Sequence, residues 1–183
     1  GVPAHAGIEP EKGASAIHGL MAALTTILTW AKPEEGTTIS AGMIQGGTAR
    51  NVIAESAGAT VDVRFWSREE ADRVDAAFRS LEPVDPRLTI TIGGGVNRYP
   101  LEETSASREL FVRAAAIGSE LGLEVQAGRT GGGSDGNFTS GVGCPTLDGL
   151  GPDGGGAHAK HEHVLVAGLS TRLAWITRLL ESL

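Results

Sequence analysis

Apolar positions in the first half of the chain change period several times, and each change predicts an element. Ile17, Met21, Leu24, Leu28 and Ala31 recur at helical spacing behind Pro10, which predicts a helix from about residue 11 to 31. Pro33 and Gly36 stop it, and Thr37 to Gln45 reads as a strand running into Gly46-Gly47. From Gly58 to Trp66 the period falls to two, with Ala59, Val61, Val63 and Phe65 on one face and Thr60, Asp62, Arg64 and Trp66 on the other. Ser67 with Glu70 three residues on forms a capping box, predicting a helix to about Leu81 that Pro83 and Pro86 close. Leu88, Ile90 and Ile92 then alternate as a strand that dissolves into Gly93-Gly94-Gly95. Counting a strand at the opening segment, the order is β-α-β-β-α-β. That order predicts a ferredoxin-like, four-stranded antiparallel sheet with two helices on one face.

Beyond Pro100 the order changes to helix, strand, short helix, strand and helix, which suits part of an α/β layer. Leu110, Ala114, Ile117 and Leu121 mark one helix, and Leu165, Leu169, Leu173, Ile176 and Leu180 mark the terminal one. A domain boundary near residue 100 follows, giving domains 1–100 and 101–183 in an α+β chain. Two glycine-rich loops, 130–138 and 149–158, interrupt the second domain, and glycine is spent where backbone must approach something closely.

At 183 residues and 40% apolar the chain is long enough to bury a core. Its formal charge of -7, with no run of Lys and Arg, argues against nucleic acid and against an anionic membrane surface. No apolar stretch approaches the roughly 18–20 residues that a bilayer span needs. Cys144 is the single cysteine, so nothing marks an oxidising compartment and a cytoplasmic location is the expectation. Gly1 leads straight into Val2-Pro3-Ala4-His5 without an initiator Met, which predicts a fragment of a longer protein.

Three groups of residues carry candidate chemistry. His158, His161 and His163 cluster behind a glycine-rich loop and offer the donor types a divalent metal wants, although a polar loop before a helix has the same composition. His18 falls on a helix face and reads as structural, whereas His5, between Ala4 and Ala6, has small neighbours that leave room for a substrate. Gly131-Gly132-Gly133-Ser134-Asp135 has backbone amides suited to an anion, but it lacks the Lys of a P-loop and the spacing of a dinucleotide fingerprint. Asn51, Arg64 and Arg98 lie at strand ends or on the polar face of the first domain, where guanidinium and amide donors together suit a carboxylate.

Taken in order, Ala4-His5-Ala6-Gly7, Gly47-Thr48-Ala49-Arg50-Asn51-Val52-Ile53, Val61-Asp62-Val63-Arg64, Asn97-Arg98-Tyr99-Pro100, Gly131-Gly132-Gly133-Ser134-Asp135 and Ala157-His158 resemble the carboxypeptidase G, aminoacylase and acetylornithine deacetylase family. The resemblance runs the length of the chain. It implies that residues 1–100 are a lid domain used for dimerisation and residues 101–183 the closing segment of a zinc exopeptidase catalytic domain. It implies His158 as a zinc ligand, His5 as a donor that reaches a partner subunit's active site, and Asn51, Arg64, Arg98 and Gly133 as substrate-binding groups, with Arg129 of lower rank. Glu162 is the later carboxylate of the pattern, and His161 and His163 are incidental to it.

The activity implied is metal-dependent hydrolysis of an amide or peptide bond next to a free carboxylate, with two Zn2+ per full-length subunit and a homodimer. The remaining zinc ligands and the general-base Glu of this family precede the lid and are not in this sequence. Catalytic zinc takes about three protein ligands, so the expectation is that this chain alone is inactive. An N-acyl-amino-acid deacylase and a non-catalytic dimerisation module are the alternatives.

Overall fold

Ser15, not Pro10, starts the first helix. Pro10 to Lys12 form a single 3-10 turn that ends at Gly13, and α1 then runs Ala16–Leu28 with the Ser15 hydroxyl accepting from the His18 amide at 3.3 Å. Its inward face is Leu24 and Ile27, whereas Met21 and Leu28, expected in the buried stripe, are exposed. The computed structural model describes residues 1–183 as two units, Gly1–Pro100 and Leu101–Leu183. Its class is α+β.

In the first unit β1 (Thr38–Gly46) pairs antiparallel with β2 (Ala57–Arg64), with a register shift between Ala41 and Met43. Along β2 and just beyond it Val61, Val63 and Phe65 are half-buried while Thr60, Asp62, Arg64 and Trp66 are exposed, the alternation expected of a one-sided strand. The four-stranded sheet is a correction: this sheet has two strands. The opening segment makes isolated bridges, Val2 to Ala14 and His5 to Val52, and residues 88–92 form no ladder. Alternation states which way side chains face and not what the backbone pairs with. Here the segment after Pro86 is tied by side chains. The Leu88 side chain fills the space over Gly19 of α1, and the Arg87 guanidinium donates to the Glu11 carbonyl at 3.0 Å and to Asp85 at 2.7 Å.

Helix α2 (Arg68–Arg79) is capped by Ser67, whose hydroxyl accepts from the Glu70 amide at 3.2 Å. Only that half of the expected capping box forms. The Glu70 carboxylate turns inward instead, accepting from Thr37 at 2.6 Å, from Arg73 at 2.6 and 2.7 Å and from Lys32 at 3.2 Å. Arg73 also donates to the Trp30 carbonyl at 2.8 Å, so one buried carboxylate joins α2 to the end of α1 and the start of β1. These bonds, that from Arg73 foremost, lower the Glu70 pKa to about 2. Ala14, Leu24, Ile27, Ala54, Ala71 and Val74 are the buried apolar residues of this unit, with Trp30 and Phe78 packed edge to face.

The second unit holds α3 (Ser105–Glu120), a short α4 (Gly136–Gly141), a ribbon of β3 (Gly154–Gly155) with β4 (His163–Val164), and α5 (Leu169–Glu181). A Thr104 and Ser107 capping box opens α3. Ala114, Trp175 and Leu179 are the buried core, and the Trp175 indole donates to the Ala114 carbonyl at 2.7 Å. Leu123, Val125, Leu147 and Leu150 pack against that core outside any ladder, so the strands expected on either side of the short helix do not form and β3 with β4 is the sheet of this unit.

Candidate functional site

The first unit brings His5 to Asn51 by backbone. The Ala6 amide donates to the Asn51 carbonyl and the Ile53 amide to the Ala4 carbonyl, both at 2.9 Å, and His5 bridges Val52 between them. A turn follows at once, with the Ile8 and Glu9 amides donating to the His5 carbonyl at 3.3 and 3.2 Å. Two residues 46 positions apart in sequence are thus fixed side by side on short loops, and both are exposed. The His5 ring accepts from the Gly7 amide at Nδ1, at 3.1 Å.

Arg64 stands elsewhere. It ends β2 opposite Thr38, while Asn51 lies in the connection beyond the paired Gly46 and Ala57. An eight-residue strand separates the two ends by about 23 Å, so one chain does not place Arg64 beside Asn51. The Arg64 guanidinium donates to Asp62 two residues back, at 2.7 Å. Arg98 is half-buried and followed by Tyr99, which is clamped to α2: Arg68 lies 3.7 Å over its ring and its hydroxyl donates to Asp72 at 2.9 Å. Nothing in the spacing of Arg68, Asp72 and Tyr99 announced that clamp.

In the second unit Gly133 lies in an exposed loop that Ser134 and Asn137 close, the Asn137 side chain accepting from the Ser134 amide at 2.8 Å and the Ser134 hydroxyl from the Gly136 amide at 3.1 Å. His158 is exposed with a φ of 63°, a left-handed conformation uncommon outside glycine. The loop carrying it is held at its base. The Leu165 amide donates to the Asp153 carbonyl at 2.7 Å, and Arg172 of α5 donates to the Asp153 carboxylate at 2.7 Å while lying 5.2 Å over the buried Trp175 ring. The His161 ring packs on Gly156, and His163 faces the His161 carbonyl at 3.0 Å. These histidines are occupied with their own loop. No group of three or more His, Cys, Asp and Glu converges to hold a metal ion, so the donors present do not fit a zinc site by themselves. No helix is long and apolar enough to cross a membrane.

Residues 1–81 match the peptidase dimerisation domain family. Carboxypeptidase G2 of Pseudomonas sp. (strain RS-16) is 27% identical over 197 aligned positions, covering 100% of this chain and 45% of that protein. Succinyl-diaminopimelate desuccinylase of Ralstonia pickettii is 32% identical over 151 positions, covering 80% of this chain and 38% of that protein. Among solved structures, aminopeptidase PepT of Bacillus cereus shares the fold with a TM-score of 0.70 at 21% identity, over 98% of this chain and 48% of its own. A Staphylococcus aureus tripeptidase does so with a TM-score of 0.65 at 22% identity, over 98% of this chain and 48% of its own. The chain spans less than half the length of these relatives.

Proposed function

We propose that this chain, which belongs to the family of peptidases and deacylases carrying the peptidase dimerisation domain, works as the recognition half of a metal-dependent amide hydrolase. The observation that carries the reading is the backbone clasp that fixes His5 beside Asn51 within the matched domain. Hydrolysis of an amide next to a carboxylate needs a donor for the oxygen that becomes negative and a cationic or amide clamp for the carboxylate. In this reading His5 supplies the first and Asn51 with Arg98 the second. Arg64, at the far end of β2, serves a different copy of the site from Asn51. A homodimer through the first unit provides that copy, and the exposure of the apolar side chains Met21 and Leu28 on α1 and Met43 and Ile44 on β1 supports faces that a partner covers.

The metal belongs to the longer polypeptide. His158 is one ligand in this reading, and two Zn2+ per subunit require carboxylates and histidines that this chain does not bring together. A cytoplasmic location is part of the same reading. The substrate class is an N-acyl or peptide amide with a free carboxylate at the adjacent carbon, a C-terminal glutamate being the first choice and an N-acyl amino acid the second. The test is a hydrolysis assay with both substrate types and added zinc, run on this chain and on the polypeptide extended at its N-terminus. Turnover by the extended protein and none by the 183-residue chain is expected. Turnover by the short chain overturns the division of labour.

A further inference from the structure

We infer that Gly7 is a positioning residue for His5: its amide, held on Nδ1, fixes the neutral imidazole as the tautomer protonated at Nε2, so that the exposed ring nitrogen is a hydrogen-bond donor.

The Gly7 N–H donates to His5 Nδ1 at 3.1 Å. A backbone amide has a hydrogen to give and no lone pair to offer, so the ring nitrogen facing it must be the acceptor. A neutral imidazole has one acceptor nitrogen and one donor nitrogen, and the proton therefore sits on Nε2. Turning the ring over does not relieve this, because it sets a C–H against the amide and leaves the amide unpaired. Nor is the amide free to turn away. Its neighbours are fixed on both sides, the Ala6 amide on the Asn51 carbonyl at 2.9 Å and the Ile8 and Glu9 amides on the His5 carbonyl at 3.3 and 3.2 Å.

Glycine's smallness is not what the position uses. A Cβ there would meet the His5 ring at 3.7 Å, an ordinary contact. The N–H is the functional part. The arrangement is also the reverse of a metal-bound histidine, whose second nitrogen donates to a carbonyl or carboxylate. In its neutral form His5 thus offers neither a lone pair for a metal nor a base at Nε2. It offers an N–H, the group that stabilises a developing oxyanion.

The inference rests on the reading that His5 meets substrate, and the two are separable by experiment. The 183-residue chain is labelled with 15N-histidine and its imidazole nitrogens are read by NMR at about pH 9, where imidazoles are neutral. His5 signals are assigned by their loss in His5→Gln, and the exposed His18 is the internal reference. A pyridine-like Nδ1 and a pyrrole-like Nε2, unaveraged, are expected in the wild type and in Gly7→Ala. Gly7→Pro, which has no N–H, should move the His5 shifts to the averaged values of His18. A wild-type His5 that is averaged or protonated at Nδ1 overturns the inference, as does a folded Gly7→Pro with unchanged shifts. Should Gly7→Pro not fold, the wild-type and Gly7→Ala spectra decide. A fixed tautomer together with full turnover by His5→Gln in the extended protein removes His5 from the reaction and leaves the tautomer standing.

Discussion

The two units hold their candidate site residues by different means. In the first, His5 and Asn51 are locked by backbone hydrogen bonds between adjacent segments, over a core that includes a fully partnered buried carboxylate, Glu70. In the second, His158 rides on a ribbon of two residue pairs anchored at Asp153 by one ion pair and one backbone bond. Val142, Val166, Leu173 and Leu180 remain exposed there, Val142 by 85%. A two-stranded ribbon is marginal on its own. The contrast teaches that the first unit fixes His5 and Asn51 through its own backbone bonds, whereas the second holds His158 through a short ribbon and one anchor.

The comparison breaks most readily at Trp175. Trp175→Ala removes a side chain buried to 2% exposure and the bond to Ala114, and is expected to cost about 3–5 kcal/mol. Denaturant unfolding followed by backbone amide NMR should show the second unit lost while the first survives. Simultaneous loss of both would contradict separately stabilised units. Arg98→Ala in the extended protein should raise KM roughly ten- to hundredfold, the value of a charge-assisted bond worth about 1.5–3 kcal/mol. An unchanged KM takes Arg98 out of the clamp.

Glu70→Gln tests the first unit's own anchor. With Arg73 and Lys32 partly exposed and able to rehydrate, a loss of about 1–3 kcal/mol is expected in urea unfolding. The sign with pH follows from the lowered pKa. A carboxylate at about 2 in the folded chain and 4.5 unfolded contributes fully above pH 4.5 and loses its contribution as pH falls toward 2. The wild type should therefore lose stability over that window more steeply than Glu70→Gln, and parallel curves would show the network to be inert. Smallest is Asp153→Asn, whose partner pair is 60% exposed on the Asp side and worth about 0.5–1 kcal/mol. It should speed amide exchange at Leu165 and Glu162 without changing global unfolding. Unchanged exchange would mean the loop does not need its anchor.

Much of this was legible in the sequence, for reasons that also mark where legibility stopped. Strand β2 and the helix behind Ser67 follow from period-two alternation and a capping serine, and β1 from the breakers Pro33, Gly36 and Gly46-Gly47 that bound it, all of which are local. The segment at Leu88 to Ile92 alternates as well, yet Leu88 packs over Gly19 of α1, Ile92 is exposed and the segment joins no sheet, which no local pattern encodes. Pro10 suggested a helix start that Gly13 defers to Ser15. His5 and Asn51 stood out as motif residues, but their adjacency is a matter of long-range backbone pairing. The anchors, Tyr99 with Arg68 and Asp72 and Asp153 with Arg172, join residues whose types are ordinary and whose separations carry no signal.

The proposed role of His5 as donor to the reacting oxygen is tested by turnover of His5→Gln in the extended protein. The expected result is a fall in kcat of about 10²–10³ with KM nearly unchanged, as for removal of one oxyanion donor. A kcat equal to that of the wild type would contradict it.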